Sequence, residues 1–559
     1  MDRSFKSYKP QTFLQPSSSQ AFAIPLYNSL ILINLLMIIG GLVYLFSDIV
    51  SAIWNVYGAL LILTLLGNIV VALIRNEKAR LDYTYLLSTI IVMTLIPIFN
   101  TIAASNLSNT SSRSVVTIIL VFYLLILGSI MTLSKRNNHG STPFIFSSSY
   151  NKPRKSKIVF TILTSLLLLL GAYVSFLILQ GQSGGFFEMF FPGYGLFFSI
   201  STLAVMALII KMNNNNLLVK FLVTLVGIGI AVIFSLPMFT TIAYIPKAGE
   251  NFAAAFGDEW RNTTTEDISY FAETPFSLPA YFFGKATDDY IVKENILYYE
   301  GTEGVDEGIK LHFDAYMPPK EDTASDEKHS VLIRIHGGGW TIGDKGASNN
   351  AQVNKYFASQ GYVVFDLQYG LSNEDKFFEY APVPENIVGD FTIDDMVRHV
   401  GIFTNYLVDN QDTFAADIES VFVSGASAGG QLANAVGLGI ASGEYENILN
   451  PALQIKGIIP VYAANGLAAN VGIEETEKLS DPSLLVGENS PPALIFQGTI
   501  DGVVDPSISK AFQQIYQQND AKSALLLMPF TGHNGDWYFS SYTNQVFIYY
   551  MERFMHMYK

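Results

Sequence analysis

The sequence predicts a multidomain chain: an N-terminal all-α polytopic membrane bundle of about seven helices, then a C-terminal α/β domain on a mostly parallel eight-stranded sheet. Three observations predict it. Seven long uncharged stretches fill residues 1–246. From about residue 285, short β-rich runs alternate with amphipathic helical segments. The charge is also split: residues 1–246 hold 15 Lys+Arg and 5 Asp+Glu, whereas residues 247–559 hold 18 and 43. An apolar, basic half beside an acidic, mixed half means two physical environments. Only 14% of the chain is charged, against roughly 25% in soluble proteins.

The seven stretches run over about 27–46, 52–74, 84–104, 115–133, 158–180, 195–210 and 221–245. Most reach the roughly 20 residues of a spanning helix; the sixth is the shortest. A buried soluble helix is the bland alternative for any one of them, but not for seven in series. The N-terminal pattern is not that of a cleavable signal peptide, because its apolar run is too long and lacks a small-residue cleavage site. Basic residues cluster on one side: Arg3, Lys6 and Lys9 in the tail, then Arg75, Lys78 and Arg80, then Lys135, Arg136, Lys152, Arg154, Lys155 and Lys157, then Lys211 and Lys220. The alternate loops hold only Arg113. This bias predicts a cytoplasmic N-terminus and, after an odd number of spans, an extracytoplasmic C-terminal half.

No ionisable residue falls within these seven spans, which disfavours a transporter. Asn55, Asn68 and Asn100 are expected to hydrogen-bond between helices. Phe186, Phe187, Phe190, Phe191 and Tyr194, set around Gly184, Gly185, Pro192 and Gly193, are expected to form an outer interfacial belt. Asn213 to Asn216 read as a polar turn.

The acidic half lacks the clustered Lys/Arg that phosphate contacts need, so nucleic acid is not an expected partner. The absence of cysteine excludes disulfides, thiolate metal sites and cysteine nucleophiles. Candidate strands are 294–299, 309–316, 331–335, 362–367, 420–424, 456–461, 493–497 and 524–529. The last six are nearly continuous apolar runs, as in a parallel sheet covered on both faces. Helices are expected over about 347–360, 391–410, 429–442 and 507–518, giving α/β alternation with right-handed crossovers. The segment 248–284 has no clear period and is either a cap over the site or a linker packed near the membrane. The expected units are therefore 1–246, a linker or cap over 247–289, and 290–559.

Two runs carry the chemistry. Val331-Leu332-Ile333-Arg334-Ile335 leads into His336-Gly337-Gly338-Gly339-Trp340, a glycine turn after an apolar strand. Ser420-Val421-Phe422-Val423 leads into Ser424-Gly425-Ala426-Ser427-Ala428-Gly429-Gly430, which contains G-x-S-x-G. Acyl transfer needs a nucleophile on a sharp turn and backbone N–H groups free to hold an oxyanion. Gly425 and Gly429 let the turn around Ser427 close without a Cβ clash, and the helix starting at Ala428 points its N–H groups at the site. A serine needs a base, and the base an orienting acid. After Ser427 the chain offers only His533 and His556. His533 follows an apolar strand, whereas His556 sits in a terminal helix and reads as structural. Asp501, in the loop after strand 493–497, is the chosen acid; Asp505 is the fallback, with a helix cap as its bland role, and Asp481 reads as turn chemistry. His336 is expected to hold the glycine turn. Gly338, Gly339 and Ala428 supply the candidate oxyanion donors. Trp340 either walls the pocket or packs beneath it.

These motifs resemble the α/β-hydrolase superfamily over about 290–559. The nearest branch is that of carboxylesterases similar to hormone-sensitive lipase and to bacterial xylan and feruloyl esterases. The resemblance rests on His336-Gly337-Gly338-Gly339, on Gly425-Ala426-Ser427-Ala428-Gly429-Gly430, on Gly498-Thr499-Ile500-Asp501 and on Gly532-His533. It implies nucleophile Ser427, acid Asp501, base His533, oxyanion N–H groups at Gly338, Gly339 and Ala428, and no cofactor or metal. Gln497 stands where relatives often carry His, a difference expected to matter little. The expectation is a membrane-anchored serine esterase acting on small-molecule, lipid or glycan esters at the outer face of the bilayer. The rival, from another class, is a seven-helix sensor or transport partner whose outer domain binds ligands on a retained hydrolase fold.

Overall fold

Seven helices open the chain, each long and apolar enough to cross a membrane: α1 (Ser18–Phe46), α2 (Trp54–Leu73), α3 (Ala79–Ser105), α4 (Val115–Asn138), α5 (Lys155–Gln180), α6 (Phe186–Met212) and α7 (Leu217–Phe256). The structure, a computed structural model, describes residues 18–46, 53–74, 79–108, 112–138, 155–181, 186–213, 216–261, 271–319, 328–346, 350–376 and 378–559. Arg3, Lys6, Lys9, Arg75, Lys78, Lys152, Arg154, Gly184, Gly185, Asn214 and Asn215 lie outside the described residues, as do 347–349 at the start of one expected helix.

Several helices overrun their predicted limits, among them α6 and α7. α6 begins at Phe186 rather than near 195 and carries Pro192 inside it. Its aromatic start is held by packing, since Phe191 stacks on Phe198 at 4.3 Å and Phe190 meets Trp537 of the C-terminal domain at 5.0 Å. Phe190 and Phe191 of the expected interfacial belt thus also touch protein, while the side chain of Phe186 lies outside the described residues. α7 continues past Ile245 to Phe256 through Pro237 and Pro246. Its last turns persist because Phe252 and Phe256 bury against Trp260, Tyr550 and Phe554. Tertiary burial here outweighs the helix-breaking tendency of proline.

α3 also starts early, and this brings Asp82 into a helix. Asp82 is buried and pairs with Lys135 at 3.0 Å and Lys211 at 2.6 Å. Both lysines, counted above as loop charges, therefore lie inside protein. Their ammonium groups also donate to the carbonyls of Ile74 and Ala72 at the C-terminal end of α2, where cations suit the helix dipole. The three asparagines divide in role. Asn68 exchanges hydrogen bonds with Asn34 across α1 and α2 at 2.8 and 3.1 Å. Asn55 and Asn100 do not join helices to one another alone. Asn55 holds Phe276 O and Leu278 N, and Asn100 donates to Phe282 O and to Tyr538 Oη.

Those contacts place the segment after α7. Its short helix α8 (Leu278–Phe283) is fully buried, with Tyr281 stacked between Phe197 of α6 and Tyr542. The segment joins the bundle to the C-terminal domain along this face, and Tyr244 of α7 takes the Leu527 N–H of the last strand at 3.1 Å.

The C-terminal domain carries β1 (Ile291–Glu300), β2 (Lys310–Met317), β3 (His329–Ile335), β4 (Val363–Leu367), a minor ladder of β5 (Leu371–Ser372) with β6 (Val388–Gly389), then β7 (Ala416–Ala426), β8 (Ile455–Val461), β9 (Ala493–Gly498) and β10 (Ser523–Met528). The main sheet runs β1-β2-β4-β3-β7-β8-β9-β10. β1 and β2 are antiparallel to their neighbours and the other six strands are parallel. All eight predicted runs are strands of this sheet, and the six continuous apolar runs are its parallel part. Alternate residues point to opposite faces. Ile333, Phe365 and Val423 meet α10 (Ile393–Asn410) and α11 (Ala428–Ser442) on one side. Leu332, Val364 and Phe422 meet α9 (Asn350–Ala358), α14 (Tyr542–Tyr558) and the end of α7 on the other. A four-residue α12 (Glu477–Ser480) and α13 (Pro506–Gln518) complete the helices. Seven long apolar helices followed by an eight-stranded, mostly parallel sheet with helices on both faces make the chain multidomain, as its sequence predicts.

Candidate active site

Ser427 sits between β7 and α11 with φ 58° and ψ −122°, a conformation that L-residues rarely adopt and that a surrounding structure must enforce. Its neighbours explain how. A Cβ on Gly425 would come within 2.1 Å of Gly429 O, and one on Gly429 within 2.3 Å of Ile335 O. Only glycine lets the strand end, the turn and the helix start approach this closely. Ser427 N–H donates to Val461 O at 2.9 Å, which ties the turn to β8.

The parallel strands end on one rim of the sheet and bring three distant loops together. His533 Nε2 lies 2.9 Å from Ser427 Oγ, and His533 Nδ1 lies 2.8 Å from Asp501 Oδ2. A carboxylate can only accept, so Nδ1 carries the hydrogen and Nε2 presents its lone pair to the serine hydroxyl. Asp501 is fully buried. Val503 and Val504 N–H donate to its Oδ1, both at 2.9 Å, and Gln497 Nε2 donates to Oδ2 at 2.9 Å. With His533 this makes four donors to one carboxyl.

The glycine turn abuts the serine turn: a Cβ on Gly337 would meet Ala426 O at 2.5 Å and Ser427 Cβ at 3.2 Å. Gly338 and Gly339 have φ of +133° and +59°. Among the described residues, the N–H groups of Gly338, Gly339 and Ala428 donate to no other backbone or side-chain group. His336 is buried, stacked on Tyr369 at 4.5 Å, with Nδ1 2.9 Å from Gly337 O. Burial lowers its pKa, which keeps the ring neutral. Trp340 packs in the core beneath the turn and donates to Gln431 Oε1 at 3.0 Å. The remaining candidates fall outside this set. Asp505 caps α13, Asp481 accepts from Ser483 N–H, and His556 packs on Phe271.

Three further residues support the site, and two of them, Tyr462 and Asp536, are not singled out by the sequence. Gln497 was expected to matter little; it bonds Asp501 directly and its own carbonyl accepts from Ser509 Oγ at 2.8 Å. The ring of Tyr462, at the end of β8, lies 4.4 Å from that of His533, and its hydroxyl donates to Asp536 Oδ1 at 2.5 Å. Burial raises the pKa of both Tyr462 and Asp536. Asp536 was visible three residues after His533 in a glycine-rich loop, but nothing in sequence links it to Tyr462.

The acid and base loops also rest on the bundle. Ile500, beside Asp501, meets Gly181 at the end of α5, and Asn534 N–H, beside His533, donates to Met189 O of α6 at 3.4 Å. Ile500 and Phe530 pack among apolar residues of α5, α6 and α7.

The BD-FAE family model matches residues 313–470, a span that holds the glycine turn and Ser427 but ends before Asp501 and His533. Solved structures similar to the chain include Thermogutta terrifontis esterase 2 phosphorylated by paraoxon, 20% identical over 47% of this chain and 90% of that one, with a TM-score of 0.37. The carboxylesterase Cest-2923 from Lactobacillus plantarum WCFS1 is 21% identical over 40% of this chain and 80% of that one, with a TM-score of 0.34. A search of curated proteins found no match. The esterase-like resemblance of the C-terminal domain, first read from its motifs, is met by the family model over the nucleophile half of that domain.

Proposed function

We propose that the chain is a membrane-anchored serine esterase whose C-terminal domain works at the outer face of the bilayer. The observation that carries this reading is the continuous relay from Asp501 through His533 to Ser427, with contacts of 2.8 and 2.9 Å. Ser427 Oγ attacks the ester carbonyl carbon while His533 Nε2 takes its proton. The carbonyl oxygen becomes an oxyanion, which the N–H groups of Gly338, Gly339 and Ala428 hold; losing one such donor typically costs roughly 3 kcal/mol of transition-state stabilisation. As the tetrahedral intermediate collapses, the alcohol leaves with the proton from His533. Water then attacks the acyl-serine by the same route and releases the acid. The chemistry calls for no cofactor.

The outer location rests on charge. Arg80, Lys135, Arg136, Lys157, Lys211 and Lys220 lie near the helix ends remote from the hydrolase, whereas the α3–α4 and α5–α6 loops that touch it hold only Arg113. Basic ends face the cytoplasm. Substrates in this reading are acyl or acetyl esters of lipids, glycans or small molecules. A fluorophosphonate probe tests it: the full-length protein should be labelled and Ser427→Ala should not. Failure to label the wild type, together with no turnover of short p-nitrophenyl esters, would leave the binding-module alternative standing. Protease access to the C-terminal half in intact cells tests the orientation.

A further inference from the structure

The bundle carries a groove where the hydrolase meets it. The groove has a volume of about 410 Å³ and is lined by Met93, Pro97, Ile98 and Ile102 of α3, by Phe198 of α6 and by Trp537. Trp537 comes from the hydrolase, four residues after His533, and stands edge-on to Phe190 of α6 at 5.0 Å. These α3 residues occupy the half of the helix that ends at Ser105, next to the hydrolase: Asn106 O accepts from Lys355 of α9 at 3.1 Å. Ile98 and Ile102 are 48% and 58% exposed, and Trp537 is 39% exposed. In a bilayer, that exposed flank meets acyl chains rather than water.

A soluble esterase has no need of an apolar furrow that opens sideways between two long apolar helices. Here one wall of the furrow belongs to the loop that carries the base, and the acid loop sits on the same bundle end through Ile500 and Gly181. We propose that this groove is the chain-binding subsite for an ester-bearing lipid of the outer leaflet. The lipid's apolar chain lies between α3 and α6 under Trp537, and its ester rises from the bilayer to Ser427. The inference rests on the esterase reading and narrows its substrate class from esters in general to bilayer-resident amphiphiles. It also gives the bundle a task beyond anchoring, because the chain would enter from the membrane without crossing water.

The full-length protein in phosphatidylcholine vesicles provides the test. An alkyl fluorophosphonate with a diazirine near the end of its chain first reacts at Ser427 and is then photolysed. Crosslinks are expected at residues 93–102 of α3, at Phe198 or at Trp537, and crosslinks confined to other surfaces would overturn the proposal. Ile98→Trp, which adds bulk from the lipid side, should lower the ratio of kcat/KM for a long-chain ester in the vesicle to that for a short soluble ester. The expected drop is about tenfold, the scale by which pocket shape discriminates a methylene; an unchanged ratio would also overturn it. If the probe reacts at Ser427 while the crosslinks fall elsewhere, the lipid proposal fails and the esterase reading survives. If the probe never reacts at Ser427, both fail. The crosslinking arm uses the wild-type chain, so it remains decisive even if Ile98→Trp does not fold.

Discussion

Asp501 beside His533 and Asp82 in the bundle are two almost wholly buried carboxylates, one from each half of the molecule. Their partners differ. Asp82 is matched by two ammonium groups, Lys135 and Lys211, which are spent on it and on the α2 carbonyls. The cluster joins α2, α3, α4 and α6 and closes on itself. Asp501 is held by two backbone N–H groups and the Gln497 amide, all neutral, and its remaining partner is a single imidazole. A carboxylate surrounded by neutral donors keeps its charge available to steady a cation that forms only during reaction. A carboxylate already facing two cations has nothing left to offer, and its cluster serves assembly.

The comparison breaks most readily at Ser427. Ser427→Ala should lower kcat on short esters by about 10⁶-fold with little change in melting temperature. Asp501→Asn keeps the shape but sets the imidazole in the wrong tautomer, and should cost about 10⁴-fold in kcat. A loss under tenfold in steady-state turnover would show that Asp501 does not orient the base. Asp82→Asn should do the opposite. It leaves two buried lysines uncompensated, a change of roughly 3–5 kcal/mol, read as earlier unfolding in detergent or nanodiscs while kcat per folded molecule holds. Adding Lys135→Met and Lys211→Met should restore part of that loss. Equal damage to catalysis and folding in Asp82→Asn would erase the distinction drawn between the two sites.

A third buried carboxylate sharpens the contrast. Asp366 of β4 lies opposite Asp314 of β2, and Lys345 is engaged by Asp314 at 2.9 Å. Among the described residues, Asp366 accepts hydrogen bonds from Gly346 N–H and Asn354 Nδ2 alone. Burial raises its pKa to about 7. A folded-state value above the unfolded one means that stability is present in full below the unfolded carboxyl range. It is then lost as pH rises toward about 7, at roughly 1.4 kcal/mol for each pH unit of difference. Thermal unfolding at pH 5 and pH 8 should show the wild type losing more stability than Asp366→Asn. Identical pH slopes in the two proteins would mean that Asp366 stays ionised throughout.

What was legible in sequence follows from the range of the forces involved. The six parallel strands were readable because burial on both faces demands nearly continuous apolar runs such as Ala493 to Phe496. Ser427, Asp501 and His533 were readable because each must follow a strand end, in an order that the chain itself displays. The pairing of Tyr462 with Asp536 was not, because it joins residues 74 apart that no local pattern relates. The partners of the α6 aromatics were hidden for the same reason. Phe190 looks alike in sequence whether its neighbour is a lipid headgroup or Trp537.

Gln497 shows the same limit at the smallest scale and supplies the finest test of the opening comparison. As a residue type before the acid loop it looked interchangeable. In place, its amide is, among the described residues, the only side-chain donor to Asp501 apart from His533, and Ser509 fixes its orientation. Gln497→Ala would leave one lone pair of a buried carboxylate unmatched, a cost of roughly 1–3 kcal/mol. If Gln497 positions the acid, the lost donor should appear in the pH–rate profile of kcat/KM. With Oδ2 no longer held by the amide, Asp501 would orient His533 less firmly, and the whole profile should drop. Gln497→Glu would place a second carboxyl against the first and should be worse than alanine. Gln497→His keeps a ring N–H within reach and should recover part of the wild-type profile. A purely structural glutamine would lower the melting temperature in all three variants and leave the profile of the folded fraction where it was.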